Sequence, residues 1–100
     1  MADQALNGTV VIEVSGDLDL ASAPALRQRL VDAVALEPVS VILDLTNLAF
    51  IDSSGLGVLI AGLKRANQSG VRLVLQSVPA QAESVIAMAG LKSLFDRTEE

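Results

Sequence analysis

Residues 41–59 read VILDLTNLAFIDSSGLGVL, and this stretch decides the fold. Its apolar beginning is typical of a buried strand, and its apolar end is typical of a helix. A short loop between them brings Asp52, Ser53, Ser54 and Gly55 to the start of that helix. Free backbone N–H groups and the helix dipole favour negative charge at such a place. A hydroxyl there can cap the helix, act as a nucleophile or accept a phosphate.

The local sequence by itself favours capping, because aspartate and serine are preferred N-cap residues. A nucleophilic serine is disfavoured, since the chain has no histidine to take the proton and no lysine close by in the sequence. A phosphate-accepting role stays open at this level, and the choice among the three roles decides the function.

The composition excludes several classes of enzyme and metal site. The chain has 100 residues, which are enough for one hydrophobic core, and we expect residues 1–100 to form one domain. It contains neither cysteine nor histidine. Thiol chemistry, zinc fingers, Ser-His-Asp triads and histidine-based acid–base catalysis are therefore excluded. We expect no enzymatic activity, no metal and no cofactor.

The charge and the hydropathy pattern narrow the set of partners. The net charge is −5, so a nucleic-acid backbone would be repelled, and two aromatic residues are too few to stack on bases. The longest apolar stretch, residues 56–63, is far below the ~20 residues that cross a bilayer. The first residues lack the basic segment of a signal peptide. We expect a cytoplasmic protein that neither binds nucleic acid nor inserts into a membrane.

The pattern of apolar residues and turn residues predicts alternating strands and helices. The first expected elements are a hairpin with Asn7-Gly8 at its turn and arms over 2–6 and 9–14, and a helix that Ser22 or Ala23 caps and Pro38 stops. A strand over 40–45 follows, then a helix that starts after the 52–55 loop and ends at Gly70, and a strand over 71–76. The last expected elements are a helix over about 79–88, a segment 91–95 that packs back, and an acidic tail frayed from about residue 97.

This order, with a break over residues 16–19 after the first long strand, predicts an α/β fold. We expect a single-layer, mostly parallel (mixed) sheet of about four to five strands, packed with about four helices through right-handed crossovers.

Two glycines after the loop invite comparison with nucleotide-binding motifs. Gly55 and Gly57 lack the third glycine of the dinucleotide fingerprint, and residues 57–64 place leucine where the phosphate-binding loop requires lysine. We interpret both glycines as permitting a close approach of the helix to the sheet or to a partner.

Four sequence blocks, in order along nearly the whole chain, resemble one known family. They are GDLD at 16–19, APALR at 23–27, FIDSSGLGVL at 50–59 and MAGL at 88–91. With these blocks the chain resembles a STAS domain of the bacterial anti-sigma-factor antagonist type. The central block is the specific one.

The resemblance implies a function for the serine pair. In that family, the hydroxyl directly after the aspartate is phosphorylated by a kinase that is itself an anti-sigma factor. Ser53 matches this position, and Ser54 is the alternative. The unphosphorylated form binds the anti-sigma factor and frees a sigma factor for transcription, and a serine phosphatase resets the switch.

Two alternatives remain beside this reading. The chain could be a STAS regulatory component of a membrane transport complex, or it could be a nucleotide-binding regulatory domain.

The expected partner-binding surface combines an acidic rim with a helix face. Asp17, Asp19 and Asp52 follow the predicted strands and could bind Mg²⁺, but we favour a rim that surrounds the acceptor serine and helps a basic partner to dock. Small or apolar residues on the helix face are typical of a docking surface. The full set is Asp17, Asp19, Asp52, Ser53, Ser54, Gly55, Val58, Ala61, Gly62 and Arg65.

Overall fold

The computed structural model describes residues 4–6 and 8–98, and within them it has seven strands and three helices. In chain order these are β1 (Gln4–Leu6), β2 (Thr9–Glu13), β3 (Gly16–Leu18), α1 (Ala23–Ala35), β4 (Ser40–Asp44), β5 (Leu48–Ile51), α2 (Ser53–Gln68), β6 (Arg72–Gln76), α3 (Ala80–Met88) and β7 (Asp96–Thr98).

The main sheet has five strands in the order β1-β2-β4-β6-β7. The β1–β2 pair is antiparallel, and the other three pairs are parallel. Ile12, Leu43 and Leu75 lie side by side in register on the three central strands, and all three are fully buried. They belong to one core cluster with apolar residues of all three helices. The predicted mixed, mostly parallel sheet is confirmed.

The predicted hairpin is present as the β1–β2 pair, in which Leu6 lies opposite Thr9. Gly8 has a φ of +80°, which is the left-handed conformation that glycine adopts readily in a tight turn. Asn7 lies outside the described residues, so the predicted turn type stays a prediction.

Two short strands form a second, separate sheet that the sequence did not predict. β3 and β5 pair in parallel, with a shift in register between Gly16 and Asp17. The expected break over residues 16–19 is wrong in part, because residues 16–18 form β3. The expected loop before Asp52 is also wrong in part, because residues 48–51 form β5. Strands of three and four residues are too short to show a period of two in the sequence.

The end of the chain also differs from expectation. The described residues hold three helices instead of about four, because residues 91–94 close only one turn after Gly90, whose φ is +76°. Arg97 and Thr98 are not frayed, since β7 pairs with β6 and Arg97 forms an ion pair with Glu83. Glu99 and Glu100 lie outside the described residues.

Two glycines allow α2 to pack closely on its neighbours. A Cβ at Gly55 would lie 2.5 Å from the carbonyl oxygen of Leu18, and a Cβ at Gly62 would lie 2.8 Å from Cδ1 of Leu30 on α1. A Cβ at Gly57 would meet nothing within 4 Å. The close approach of helix to sheet is confirmed for Gly55, whereas Gly57 faces open space.

These surroundings predict opposite effects for the same substitution at two positions of α2. Gly57→Ala should raise the free energy of unfolding by about 0.5–1 kcal/mol, because alanine favours a helix without a clash. Gly55→Ala should lower it by about 1–3 kcal/mol, because the helix must move away from the backbone of Leu18. Urea unfolding of both variants measures the difference. If both substitutions changed the free energy of unfolding equally, α2 would be able to move away from β3 at no cost in free energy, which would contradict the expected clash at position 55.

Candidate functional site

The second sheet places the candidate site. Leu18 of β3 lies opposite Ile51 of β5, and the N–H of Asp52 donates a hydrogen bond to the carbonyl of Leu18 at 3.2 Å. Asp19 and Asp52 therefore leave neighbouring strands at the same edge, as the sequence predicted. Asp17 differs, because it lies within β3 opposite Phe50 and is exposed.

Asp52 is the N-cap of α2. Its backbone is extended, its carboxylate accepts a hydrogen bond from the N–H of Gly55 at 3.0 Å, and its carbonyl accepts one from the N–H of Leu56 at 2.9 Å. Such a cap typically stabilises a helix by ~1 kcal/mol. The capping role predicted for this loop is confirmed at Asp52, so neither serine is needed for it.

Ser53 is the first residue of α2, and its side chain is exposed. Its hydroxyl makes no hydrogen bond with any residue that the structure describes. The hydroxyl of Ser54 also has no partner there, but Ser54 is half-buried. The backbone N–H groups of both serines belong to the first turn, where a helix offers no intrahelical acceptor. The geometry thus presents a free hydroxyl beside two free N–H donors.

Asp19 has a structural role that sequence reasoning missed. One oxygen of its carboxylate accepts hydrogen bonds from the N–H groups of Ala21 and Ser22, at 3.0 and 3.1 Å. The Ser22 hydroxyl in turn donates to the carbonyl of Asp17 at 2.7 Å. These bonds fix the turn between β3 and α1. The Asp19 carboxylate is therefore held in place by its hydrogen bonds to this turn.

Asp44 supports the loop that follows β4. Its carboxylate accepts hydrogen bonds from the N–H and the hydroxyl of Thr46, at 3.0 and 2.6 Å.

Gln81 of α3 is a second residue that the sequence did not single out. Its side-chain oxygen accepts from the N–H of Ile51, and its side-chain nitrogen donates to the carbonyl of Ile51, both at 2.9 Å. One amide thus pairs with the open side of β5 as a third strand would. Because Ile51 precedes the N-cap, this clamp holds the backbone that leads to Ser53. The sequence carries no local signal for this contact, because Gln81 and Ile51 are 30 positions apart.

The helix face expected to bind a partner is only partly exposed. Ala61 and Arg65 face solvent, but Val58 is 2% exposed and Gly62 is buried. The expectation that Val58 and Gly62 lie on an open face is wrong, because α1 packs against this side of α2 through Leu30.

The exposed face of α2 instead follows a different set of positions, which we call the α2 stripe. Its members share one side of the helix and start at the site: Ser53, Gly57, Ala61, Lys64 and Gln68.

The described part of the chain shows neither a metal-binding cluster nor a membrane-spanning helix. Within residues 4–6 and 8–98, no three acidic side chains come together in a way that could hold a metal ion. None of the helices in these ranges is both long enough and apolar enough to cross a lipid bilayer.

Comparison with known proteins identifies the family. The STAS domain model matches residues 1–100. The chain belongs to the STAS domain family. This assignment confirms the family predicted from the four sequence blocks.

Individual relatives are similar to this chain in sequence and in structure. An anti-sigma F factor antagonist of Paenibacillus polymyxa is 32% identical over 85 residues, which are 84% of this chain and 73% of the relative. The crystal structure of an anti-sigma factor antagonist from Mycobacterium paratuberculosis superposes with a TM-score of 0.82 at 28% identity, covering 98% of this chain and 83% of the other. The Bacillus protein SpoIIAA in its phosphorylated form superposes with a TM-score of 0.75 at 23% identity, covering 98% and 89%.

Removing the Gln81 clamp should loosen the backbone before Ser53. Gln81→Ala leaves the N–H and carbonyl of Ile51 without their partner, so we expect the free energy of unfolding to fall by about 1–3 kcal/mol. Amide hydrogen exchange should also show reduced protection at Ile51. Gln68→Ala is the matched control, because Gln68 is exposed at the end of α2 and has no side-chain hydrogen bond to a described residue. Unchanged protection of Ile51 in Gln81→Ala would contradict the clamp.

Proposed function

We propose that this protein is an anti-sigma-factor antagonist whose binding is controlled by phosphorylation of Ser53. The observation that carries the proposal is the exposed, unbonded hydroxyl of Ser53 at the first position of α2, next to an aspartate that already caps the helix. The Paenibacillus relative is named an anti-sigma F factor antagonist, and SpoIIAA has a phosphorylated form, which supports both parts of the proposal.

In this proposal the protein is a binding module and not an enzyme. Unphosphorylated, it binds an anti-sigma factor that is also a serine kinase, and a sigma factor is released for transcription in the cytoplasm. The bound kinase phosphorylates Ser53, and a separate serine phosphatase removes the phosphate.

The domain can accept a phosphate at Ser53 without refolding. The N–H groups of Ser53 and Ser54 are free to donate to phosphate oxygens, and the helix dipole favours the added charge. Asp52 is a nearby like charge, but its carboxylate is already held by the N–H of Gly55. The effect of the phosphate therefore falls on association with the partner.

The size of the electrostatic effect is sufficient for a switch. A phosphoserine adds about −1.5 to −2 charges at neutral pH. Two unit charges about 4 Å apart interact by ~4 kcal/mol at an effective dielectric constant of 20. Since a loss of ~1.4 kcal/mol is a tenfold loss of affinity, one phosphate can release a partner that places an acidic group over the Ser53 hydroxyl.

The difference in exposure favours Ser53 over Ser54 as the phosphate acceptor. A kinase must bring its phosphate donor in line with the acceptor hydroxyl, which requires an accessible side chain. Ser53 is exposed, whereas Ser54 is half-buried one position further into the helix.

Substitution at the two serines tests this assignment. Ser53→Ala should take up no phosphate yet retain the partner. Ser53→Asp should fold but bind at least tenfold more weakly, because its carboxylate would lie against the acidic or uncharged partner group that covers position 53. Ser54→Ala is the matched control and should be phosphorylated as the unchanged protein is. Mass spectrometry after kinase treatment and a titration of partner binding give the two measurements.

Two results would reject the proposal. Phosphate found on Ser54 alone would reject the assignment of the acceptor. Full partner affinity after stoichiometric phosphorylation of Ser53 would reject the switch.

A further inference from the structure

The solvent side of the α1–α2 contact holds a shallow groove of about 280 Å³. Its floor is aliphatic, and basic side chains also line it. Leu30 and Val58 are each only 2% exposed, so Val31 and Ala61 form the accessible part of the floor. The complete lining, which we call the α1–α2 groove, is Arg27, Leu30, Val31, Val58, Ala61, Gly62, Lys64, Arg65 and Gln68.

The charge of this groove is opposite to that of the whole chain. The protein has a net charge of −5 and seven basic residues, yet three of the seven line the groove, and no acidic residue does. Two of the other basic residues form ion pairs, Arg72 with Asp96 and Arg97 with Glu83. Arg27, Lys64 and Arg65 have no ion pair with any described residue. The groove is therefore a local region of positive potential.

The groove is continuous with the candidate phosphorylation site. The α2 stripe begins at Ser53 and enters the groove at Ala61 and Lys64. At 1.5 Å per residue, Ser53 and Lys64 are about 16 Å apart along the helix axis. One protein partner that covers Ser53 can reach the groove with a segment about three helical turns long.

The chemistry of the lining favours a protein segment over a small anion. Arg27, Lys64 and Arg65 lie within helices, whose backbone N–H groups are used in the helix itself, so no backbone cradle for a phosphate is present in the groove. The lining contains no aromatic residue that could stack on a base. Cations along an aliphatic floor instead match an amphipathic segment that carries both carboxylates and apolar side chains.

We propose that the α1–α2 groove binds an acidic, amphipathic segment of the protein partner. Carboxylates of that segment pair with Arg27, Lys64 and Arg65, and an apolar side chain lies on the floor. The identity of the partner rests on the proposed function, whereas the chemistry of the segment does not. The interface then has two ends of opposite charge, and phosphorylation of Ser53 changes only the acidic end.

Synthetic peptides test the chemistry without any partner. The probe is a 15-residue helical peptide with leucine on one face and glutamate beside it, and the comparison peptide has lysine at every glutamate. The glutamate peptide should shift the amide resonances of Val31, Ala61 and Lys64, and the lysine peptide should leave them unchanged. The shifts should weaken as salt is added.

Two charge reversals provide a matched pair of variants. Arg65→Glu and Lys92→Glu change the net charge equally, and both side chains are exposed, but only Arg65 lines the groove. Arg65→Glu should weaken binding of the glutamate peptide about tenfold or more, and Lys92→Glu should change it less than about threefold. Thermal unfolding of both variants checks that the fold is retained.

Three results would overturn the proposal: no shift with the glutamate peptide, equal weakening by the two charge reversals, or groove shifts produced by ATP or GTP and not by the peptide. The protein captured with Ser53→Ala separates this proposal from the previous one. If Ser53→Asp no longer binds that protein and Arg65→Glu still does, the groove proposal alone is rejected. If Arg65→Glu no longer binds it and Ser53→Asp still does, the phosphorylation switch alone is rejected.

Discussion

The close contact between Gly55 and the carbonyl of Leu18 is the constraint on which the rest of the site depends. A side chain at position 55 would be only 2.5 Å from that oxygen, so α2 can start against β3 only because the residue is glycine. This position lets the Asp52 N–H reach Leu18 and lets the Asp52 carboxylate cap the helix. It also leaves Ser53 on the outer side of the first turn, where its hydroxyl meets solvent.

Side chains that hydrogen-bond to the backbone hold the segments next to Ser53 in place. Asp19 and Ser22 fix the turn before α1, and Gln81 pairs with the peptide of Ile51 from α3. A site held in this way does not need a conformational change to respond to a phosphate. In the proposed switch, the added charge acts directly on the partner groups that cover Ser53, as a change in electrostatic energy over a few ångströms.

The parts of this arrangement that the sequence predicted are those with local signals. The apolar period of α2 and the cap at Asp52 can be read from neighbouring residues, and so can the hydroxyl at Ser53. The pairing of Leu18 with Ile51 and the clamp by Gln81 join distant positions, so no local pattern contains them. The burial of Val58 was missed for a related reason. Apolar residues lie on two sides of α2, and the sequence does not say which side α1 covers.

The distribution of charge gives the proposed interface a direction. Asp19 and Asp52 lie near the start of α2, and Lys64 and Arg65, which have no ion pair with a described residue, lie along its later turns. A partner with basic residues at one end and acidic residues at the other is attracted in one orientation and repelled in the reverse one. In the favourable orientation its basic end lies over Ser53, where a new phosphate could attract it. Release on phosphorylation therefore requires that the partner place an uncharged or acidic group directly over the hydroxyl, with its basic groups further out against Asp17 and Asp19.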